Sequence, residues 1–244
     1  MEKQLELFNE DGSIKTKEDF LKDVGSCYDE MVAAYEEEEL KNKSSLDLIS
    51  DPDILIDVEA TLQNFAFRER SIFLTDEITQ EHANSVFEVI RFWNGLDDMD
   101  EIPTDEREPI KIYINTPGGD LDATFSIIGS IKTSKTPVWT ITTGTGYSGG
   151  FFIGVCGHKR FGYPYSSYLF HEGSSIDGGD AHKFLQRTDF YKRQLQRLKN
   201  LVVNNTKISS EEYENYRKDD WFMEPQEALD YGVIDEIVKE GEII

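Results

Sequence analysis

Residues 137–156 read Pro-Val-Trp-Thr-Ile-Thr-Thr-Gly-Thr-Gly-Tyr-Ser-Gly-Gly-Phe-Phe-Ile-Gly-Val-Cys, and the class of fold follows from this stretch. Its apolar first part, Val138–Thr142, is typical of a strand, and its last part, Phe151–Cys156, indicates a buried helix. The glycine-dense turn between them, 144–150, bends sharply and leaves the hydroxyl of Ser148 uncovered. A serine at a strand-to-helix turn is a known way to present an attacking hydroxyl. The stretch therefore predicts a strand, a turn carrying a candidate nucleophile, and a helix.

Strands and helices alternate along the rest of the chain from residue 71 onward. The pattern predicts further strands at 71–74, 110–114, 168–170 and 233–238, and helices at 80–93, 123–131, 181–204 and 224–232. The polar segment Asn94–Glu108 is expected to be a loop. Because strands that alternate with helices at this spacing pair in parallel, the sequence predicts an α/β fold.

The composition limits the classes of function. A chain of 244 residues with 38% apolar residues can bury one sizeable core. The net charge of −23 argues against nucleic acid and against an anionic membrane surface as partners, because both need clustered Lys and Arg. No Cys or His spacing suggests a metal. We expect a globular domain that carries no metal site.

The first 57 residues differ in composition from the rest. They carry the acidic run Glu36–Glu39 and few apolar residues. We therefore expect residues 1–57 to be an acidic extension, partly helical or mobile, and residues 58–244 to be the catalytic domain. Free thiols at Cys27 and Cys156 are favoured over a disulfide. With no signal peptide and no apolar run of membrane-spanning length, we expect a cytoplasmic location.

A serine that attacks a carbonyl needs a base, and histidine is the usual one. Among the four histidines, only His171 follows an apolar strand, Tyr168–Phe170. The carboxyl ends of parallel strands meet at one edge, so His171 is expected near Ser148. An oxyanion hole needs two backbone amides, and Gly149 and the turn Pro117–Gly119 could supply them. The chain is rich in acids, so the residues alone leave the third member of a triad open.

Several ordered motifs resemble the Clp protease proteolytic subunit family, whose members are serine peptidases with the crotonase-like fold. The motifs are Arg68–Thr75, Ile112–Gly119, Gly144–Gly150, Arg160–Pro164, Asp219–Met223 and Glu227–Asp235. The resemblance covers residues 65–240 and implies repeated β-β-α units with a long handle helix that protrudes, here the helix from Ala181. It matches Ser148 to the nucleophile, His171 to the base and Asp220 to the orienting aspartate.

The resemblance also implies the remaining parts of the site and the assembly. Gly119 and Gly149 match the oxyanion donors, and no cofactor is needed. Heptameric rings stacked in pairs would enclose unfolded polypeptide substrates, which an ATP-driven AAA+ unfoldase would feed. The chain departs from the family at Gly149, where methionine is usual, and at Glu172-Gly173, where Gln-Pro is usual. A carboxylate at Glu172 could compete with Asp220 for His171.

Three alternatives stay open at this stage. The chain could be a phage-type relative that matures assembly (prohead) proteins, with the acidic extension serving as a propeptide or a scaffold-binding arm. It could be a catalytically silent ring subunit that assembles with active partners. It could also be an acyl-CoA enzyme on the same superfamily fold. The presence of Ser148, His171 and Asp220 at the matching positions favours a peptidase over the last two.

Overall fold

The computed structural model describes residues 65–173, 180–242 and 244. Outside these ranges lie the acidic extension 1–57, its boundary with the predicted catalytic domain, and the glycine pair at 178–179. What the sequence predicts for them stays a prediction. Within the described ranges, residues 65–70 and 96–102 belong to one compact unit, and the remaining residues belong to a second.

A seven-stranded sheet forms the centre of the second unit. Its strands are β1 (Ser71–Leu74), β2 (Ile110–Thr116), β3 (Val138–Tyr147), β4 (Lys159–Gly162), β5 (Ser167–Phe170), β6 (Trp221–Met223) and β7 (Glu236–Ile237). The helices are α1 (Gln80–Met99), α2 (Leu121–Thr133), α3 (Gly149–Gly154), α4 (Ala181–Asn205), α5 (Ser210–Tyr216) and α6 (Pro225–Asp230). The pairings β1–β2, β2–β3, β3–β4, β3–β5 and β4–β7 are parallel, and β5–β6 is antiparallel. The prediction of an α/β fold with parallel strands is confirmed.

Strand β3 pairs with three other strands because it is long. Along one edge it pairs with β2, and along the other its first half pairs with β4 and its last residues pair with β5. The ladder with β2 shifts register after Ile114, where the side chain of Asn115 accepts a hydrogen bond from Thr145 N at 2.9 Å. A Cβ at Gly144 would lie only 2.4 Å from Asn115 Oδ1, so a larger residue here would displace the Asn115 side chain from its hydrogen bond with Thr145 N. The glycines predicted to form a turn therefore continue the strand to Tyr147.

Helix α3 packs against β2 and β3, and α2 packs against α3. Ile112 and Ile114 of β2, Ile127 of α2 and Phe151 of α3 are all buried. Helix α2 begins where Asp120 Oδ1 accepts a hydrogen bond from Ala123 N at 2.7 Å, which satisfies one of its unpaired amides. The packing of these side chains fixes the ends of β2 and β3 relative to the first residues of α2 and α3.

Besides the end of β3, several predicted boundaries were wrong, among them those of α1 and β7. Helix α1 does not end at Trp93 but continues to Met99, so the first part of the expected loop Asn94–Glu108 is helical. The side chain of Asn94 is satisfied within the fold, since its amide nitrogen donates to Ile90 O and its oxygen accepts from Lys135 N. The last strand covers Glu236–Ile237 and is shorter than the predicted 233–238, although Asp235 N and Val238 N also donate to Arg160 O and Gly162 O of β4.

Two elements near the carboxyl end were not predicted. Helix α5 begins with a capping box between Ser209 and Glu212. Strand β6 has three residues and runs antiparallel to β5. Asp220 lies between α5 and β6, so both elements determine its position.

Among residues 65–173, 180–242 and 244, no helix combines the length needed to cross a bilayer with a sufficiently apolar composition.

Candidate active site

Ser148 lies directly after β3 and directly before α3. Its backbone has a positive φ of 51°, which residues other than glycine rarely adopt. Its amide donates to Leu169 O at 3.0 Å, so β5 fixes the turn from one side. A strained residue held between a strand and a helix is typical of a nucleophile turn.

The glycine turn after β2 fixes the Ser148 turn from the other side. Gly118 has a φ of 100°, and a Cβ built on it would lie 2.7 Å from Ser148 Cβ. Its amide donates to Thr116 Oγ1 at 3.1 Å, which keeps the turn in place. Only glycine allows the two turns to approach this closely.

The register of the sheet brings His171 and Asp220 together at the same edge. Tyr147 of β3 pairs with Leu169 of β5, and Phe170 pairs with Trp221 of β6. His171 therefore follows directly after the end of β5, and Asp220 directly precedes the start of β6. His171 Nδ1 lies 3.1 Å from Asp220 Oδ1. The carboxylate is well placed to accept a hydrogen bond from Nδ1–H and so to orient the ring.

Ser148 stays apart from this pair in the structure. Among the described residues, no hydrogen bond joins the Ser148 hydroxyl to the imidazole of His171. The side chains of His171 and Asp220 are 30% and 61% exposed, so solvent reaches both. Catalytic hydrogen bonds are often long in the absence of substrate and tighten once substrate is bound.

The amides predicted as oxyanion donors lie beside Ser148. Within the described part of the chain, neither Gly119 N nor Gly149 N donates to a protein acceptor. A Cβ built on Gly149 would lie 3.6 Å from Gly119 N, so the two amides are neighbours. Two free donors next to a serine are the arrangement that stabilises a tetrahedral oxyanion.

Thr124 explains why Gly149 carries no side chain in this protein. A Cβ on Gly149 would lie 2.6 Å from Thr124 Oγ1 and 3.1 Å from Ile78 Cδ1. Thr124 is completely buried, and its hydroxyl donates to Asp120 O at 2.8 Å. The threonine thus fills the space that a side chain at Gly149 would occupy.

The other histidines do not approach Ser148 in the part of the chain that the structure describes. His82 contacts Thr79 at the start of α1, and His182 is exposed at the start of α4. His158 Nδ1 accepts a hydrogen bond from Val138 N at 2.9 Å, and burial lowers the pKa of this imidazole. Of the described histidines, His171 alone follows the strand that pairs with the end of β3.

Glu172 does not compete with Asp220 in the structure. Its carboxylate accepts a hydrogen bond from Arg217 Nη1 at 2.8 Å instead. Sequence reasoning missed Arg217, because a cation 45 residues away gives no local signal of its partner. Across the described residues, no group of three His, Cys, Asp or Glu side chains could hold a metal ion.

Comparison with known proteins places the chain in a family. The family model described as Clp protease matches residues 57–241. The ATP-dependent Clp protease proteolytic subunit of Mesostigma viride is 30% identical over 177 residues, which cover 72% of this chain and 74% of that protein.

Two bacterial relatives are similar to the same extent. Subunit 1 of Shouchella clausii (strain KSM-K16), also named an ATP-dependent Clp protease proteolytic subunit, is 30% identical over 70% of this chain and 86% of its own. The subunit of Streptococcus sanguinis (strain SK36) is 30% identical over 72% of this chain and 88% of its own. The mixed α/β sheet agrees with the crotonase-like fold that the sequence motifs imply. The chain belongs to the Clp protease family of serine-type peptidases.

Proposed function

We propose that the chain is an endopeptidase in which Ser148 is the nucleophile, His171 the general base and Asp220 the group that orients the base. The observation that carries the proposal is the sheet register, which sets the 3.1 Å contact of His171 Nδ1 with Asp220 Oδ1 beside β3, the strand that ends immediately before Ser148. A nucleophile, a base and an orienting carboxylate on one sheet edge suit acyl transfer.

The reaction follows from these roles. His171 Nε2 takes the proton of the Ser148 hydroxyl while the oxygen attacks the peptide carbonyl. Asp220 accepts the Nδ1 proton in a hydrogen bond and stabilises the imidazolium. The imidazolium then protonates the leaving amine, and an acyl-enzyme remains on Ser148. Water, activated by the same base, releases the acid, so the reaction needs no cofactor.

Gly119 and Gly149 serve as the oxyanion donors in this proposal. Their amides have no protein acceptor in the described ranges, so they are free to bind the oxygen when its charge develops. The side chain of Thr124 occupies the position that a Cβ on Gly149 would need. Fixed donors contribute because they need no reorganisation during the reaction.

The proposed substrates are unfolded polypeptides cut inside an oligomeric chamber. The relatives are named as subunits of an ATP-dependent protease, which supports an ATP-driven AAA+ unfoldase as partner. Helix α4 carries Phe184, Leu185 and Phe190 at 42%, 59% and 50% exposure, and neighbouring subunits would cover these side chains. Stacked heptameric rings with α4 as the handle are the assembly we propose.

Hydrolysis of a short fluorogenic peptide and of an unfolded protein tests this function. We expect the wild-type oligomer to cleave both, and Ser148→Ala to lose at least ~10³-fold in kcat, because alanine lacks the oxygen that attacks the carbonyl. Ser126→Ala, which changes an exposed serine on α2, is the matched control and should cleave like wild type.

Equal cleavage by Ser148→Ala and Ser126→Ala would refute the assignment of the nucleophile. An inactive wild-type oligomer would instead identify the chain as a silent ring subunit. Cleavage of a peptide without cleavage of unfolded protein would contradict the proposed substrate class.

A further inference from the structure

The hydrogen bond between His171 and Asp220 is poorly protected. Asp220 is 61% exposed, and exposed ion pairs contribute little to holding two side chains together. Each of the two residues sits just outside its strand, since β5 ends at Phe170 and β6 begins at Trp221. The ladder therefore stops short of the catalytic pair, and another contact is needed to keep the two chain segments together.

Glu172 and Arg217 supply such a contact at both the backbone and the side chains. Glu172 N donates to Arg217 O at 3.2 Å, and Arg217 Nη1 donates to Glu172 Oε2 at 2.8 Å. Glu172 directly follows His171, and Arg217 lies three positions before Asp220. The two hydrogen bonds thus join the segment after the base to the segment before the orienting carboxylate.

This ion pair is better shielded than the catalytic pair beside it. The Glu172 side chain is 12% exposed and that of Arg217 is 30% exposed. The hydrogen bond to Glu172 raises the pKa of Arg217, so the guanidinium stays charged. A charge-assisted hydrogen bond between partly buried groups is stronger than one in open solvent.

Further contacts connect the ion pair to α5 and α4. Arg217 Nε lies 2.7 Å from Glu214 Oε2, and Glu214 Oε1 accepts a hydrogen bond from Lys199 Nζ at 2.6 Å. Tyr191 OH donates to Glu172 O at 3.4 Å. The segment that follows His171 is therefore held from α5 and from two positions along α4.

We propose that the Glu172–Arg217 ion pair is a positioning pair, which clamps the chain after His171 to the chain before Asp220 and so keeps imidazole and carboxylate face to face. The inference rests on the proposed roles of His171 and Asp220 and goes beyond them. Neither Glu172 nor Arg217 touches the substrate in this scheme. Their removal should lower the rate of the chemical step and leave peptide binding alone.

Steady-state peptide hydrolysis by two variants tests the clamp. Arg217→Met keeps the length of the side chain but removes its donors, and Glu172→Leu removes the acceptor. We expect each to lower kcat about 10-fold or more while KM stays within about twofold, because misplacing a catalytic group slows chemistry without weakening binding. Glu172→Gln should recover most of the rate, since its amide oxygen can still accept from Arg217.

The matched control is Lys192→Met, which removes an exposed ion pair with Asp189 elsewhere on α4 and should behave like wild type. Should Arg217→Met fail to fold, the comparison of Glu172→Leu with Glu172→Gln decides. The proposal is overturned if both Glu172 variants retain the wild-type kcat, or if Leu and Gln reduce it equally. If wild type and Lys192→Met are themselves inactive, the proposed function fails first, and that outcome is distinct from failure of the clamp alone.

Discussion

Asp220→Asn should lower kcat for peptide hydrolysis by about 10³- to 10⁴-fold and leave KM nearly unchanged. Asp220 Oδ1 is the acceptor for His171 Nδ1 at 3.1 Å, and an amide in its place can present a donor there. The imidazole would then favour the tautomer that carries its proton on Nε2, which cannot take a proton from Ser148. Initial rates over a range of peptide concentrations give kcat and KM separately.

Asp219→Asn is the matched control for this variant. Asp219 is exposed like its neighbour, and its amide donates to Tyr216 O as part of the turn after α5. It should retain wild-type kcat, and both variants should unfold at temperatures close to wild type, because exposed carboxylates contribute little to stability. Equal activity of the two variants would remove Asp220 from the mechanism.

Gly149→Ala should lower kcat by about 10²- to 10³-fold, the effect of losing one oxyanion donor. The new Cβ would lie 2.6 Å from Thr124 Oγ1, and a contact this short forces one of the two groups to move. Thr124 is buried and tied to Asp120 O, so we expect the Gly149 amide to move away from Gly119. Peptide hydrolysis measures the loss.

A double variant and a matched control separate this mechanism from general damage to α3. Thr124→Ala removes the clashing hydroxyl, so Gly149→Ala combined with it should recover at least ~10-fold of the lost rate. Gly154→Ala lies in the same helix, where a Cβ would meet only Ile114 Cδ1 at 3.9 Å, and should be almost neutral. No recovery in the double variant would contradict the proposed role of Thr124.

The part of the site nearest Ser148 could be predicted from residues alone. An apolar strand, a glycine-dense turn and an apolar helix are local signals, and they located Ser148 at the strand end. The apolar residues before His171 predicted that it follows a strand. Because the carboxyl ends of parallel strands meet at one edge of a sheet, this predicted that His171 lies near Ser148. The one error here was the end of β3, since backbone pairing with β5 continues through Thr145 and Gly146 whatever their side chains are.

The rest of the site depends on contacts between segments distant in sequence. Strand β6 has three residues, too few for a periodic pattern, and so Asp220 was reached only through resemblance to a family. The sequence did not predict the roles of Arg217 and Thr124, because these roles depend on tertiary contacts. Arg217 donates a hydrogen bond to Glu172, and Thr124 occupies the space that a side chain at Gly149 would need. Such contacts follow from tertiary packing and not from local propensity.

Covalent labelling with a fluorophosphonate probe reports directly whether Ser148 is an activated nucleophile. We expect one adduct per chain in the assembled wild-type protein, located by peptide mass spectrometry on the segment that contains Ser148. Ser148→Ala should form no adduct and Asp220→Asn should label slowly, since activation requires an oriented base. An unlabelled assembled protein, or an adduct on another serine, would show that Ser148 is not the nucleophile.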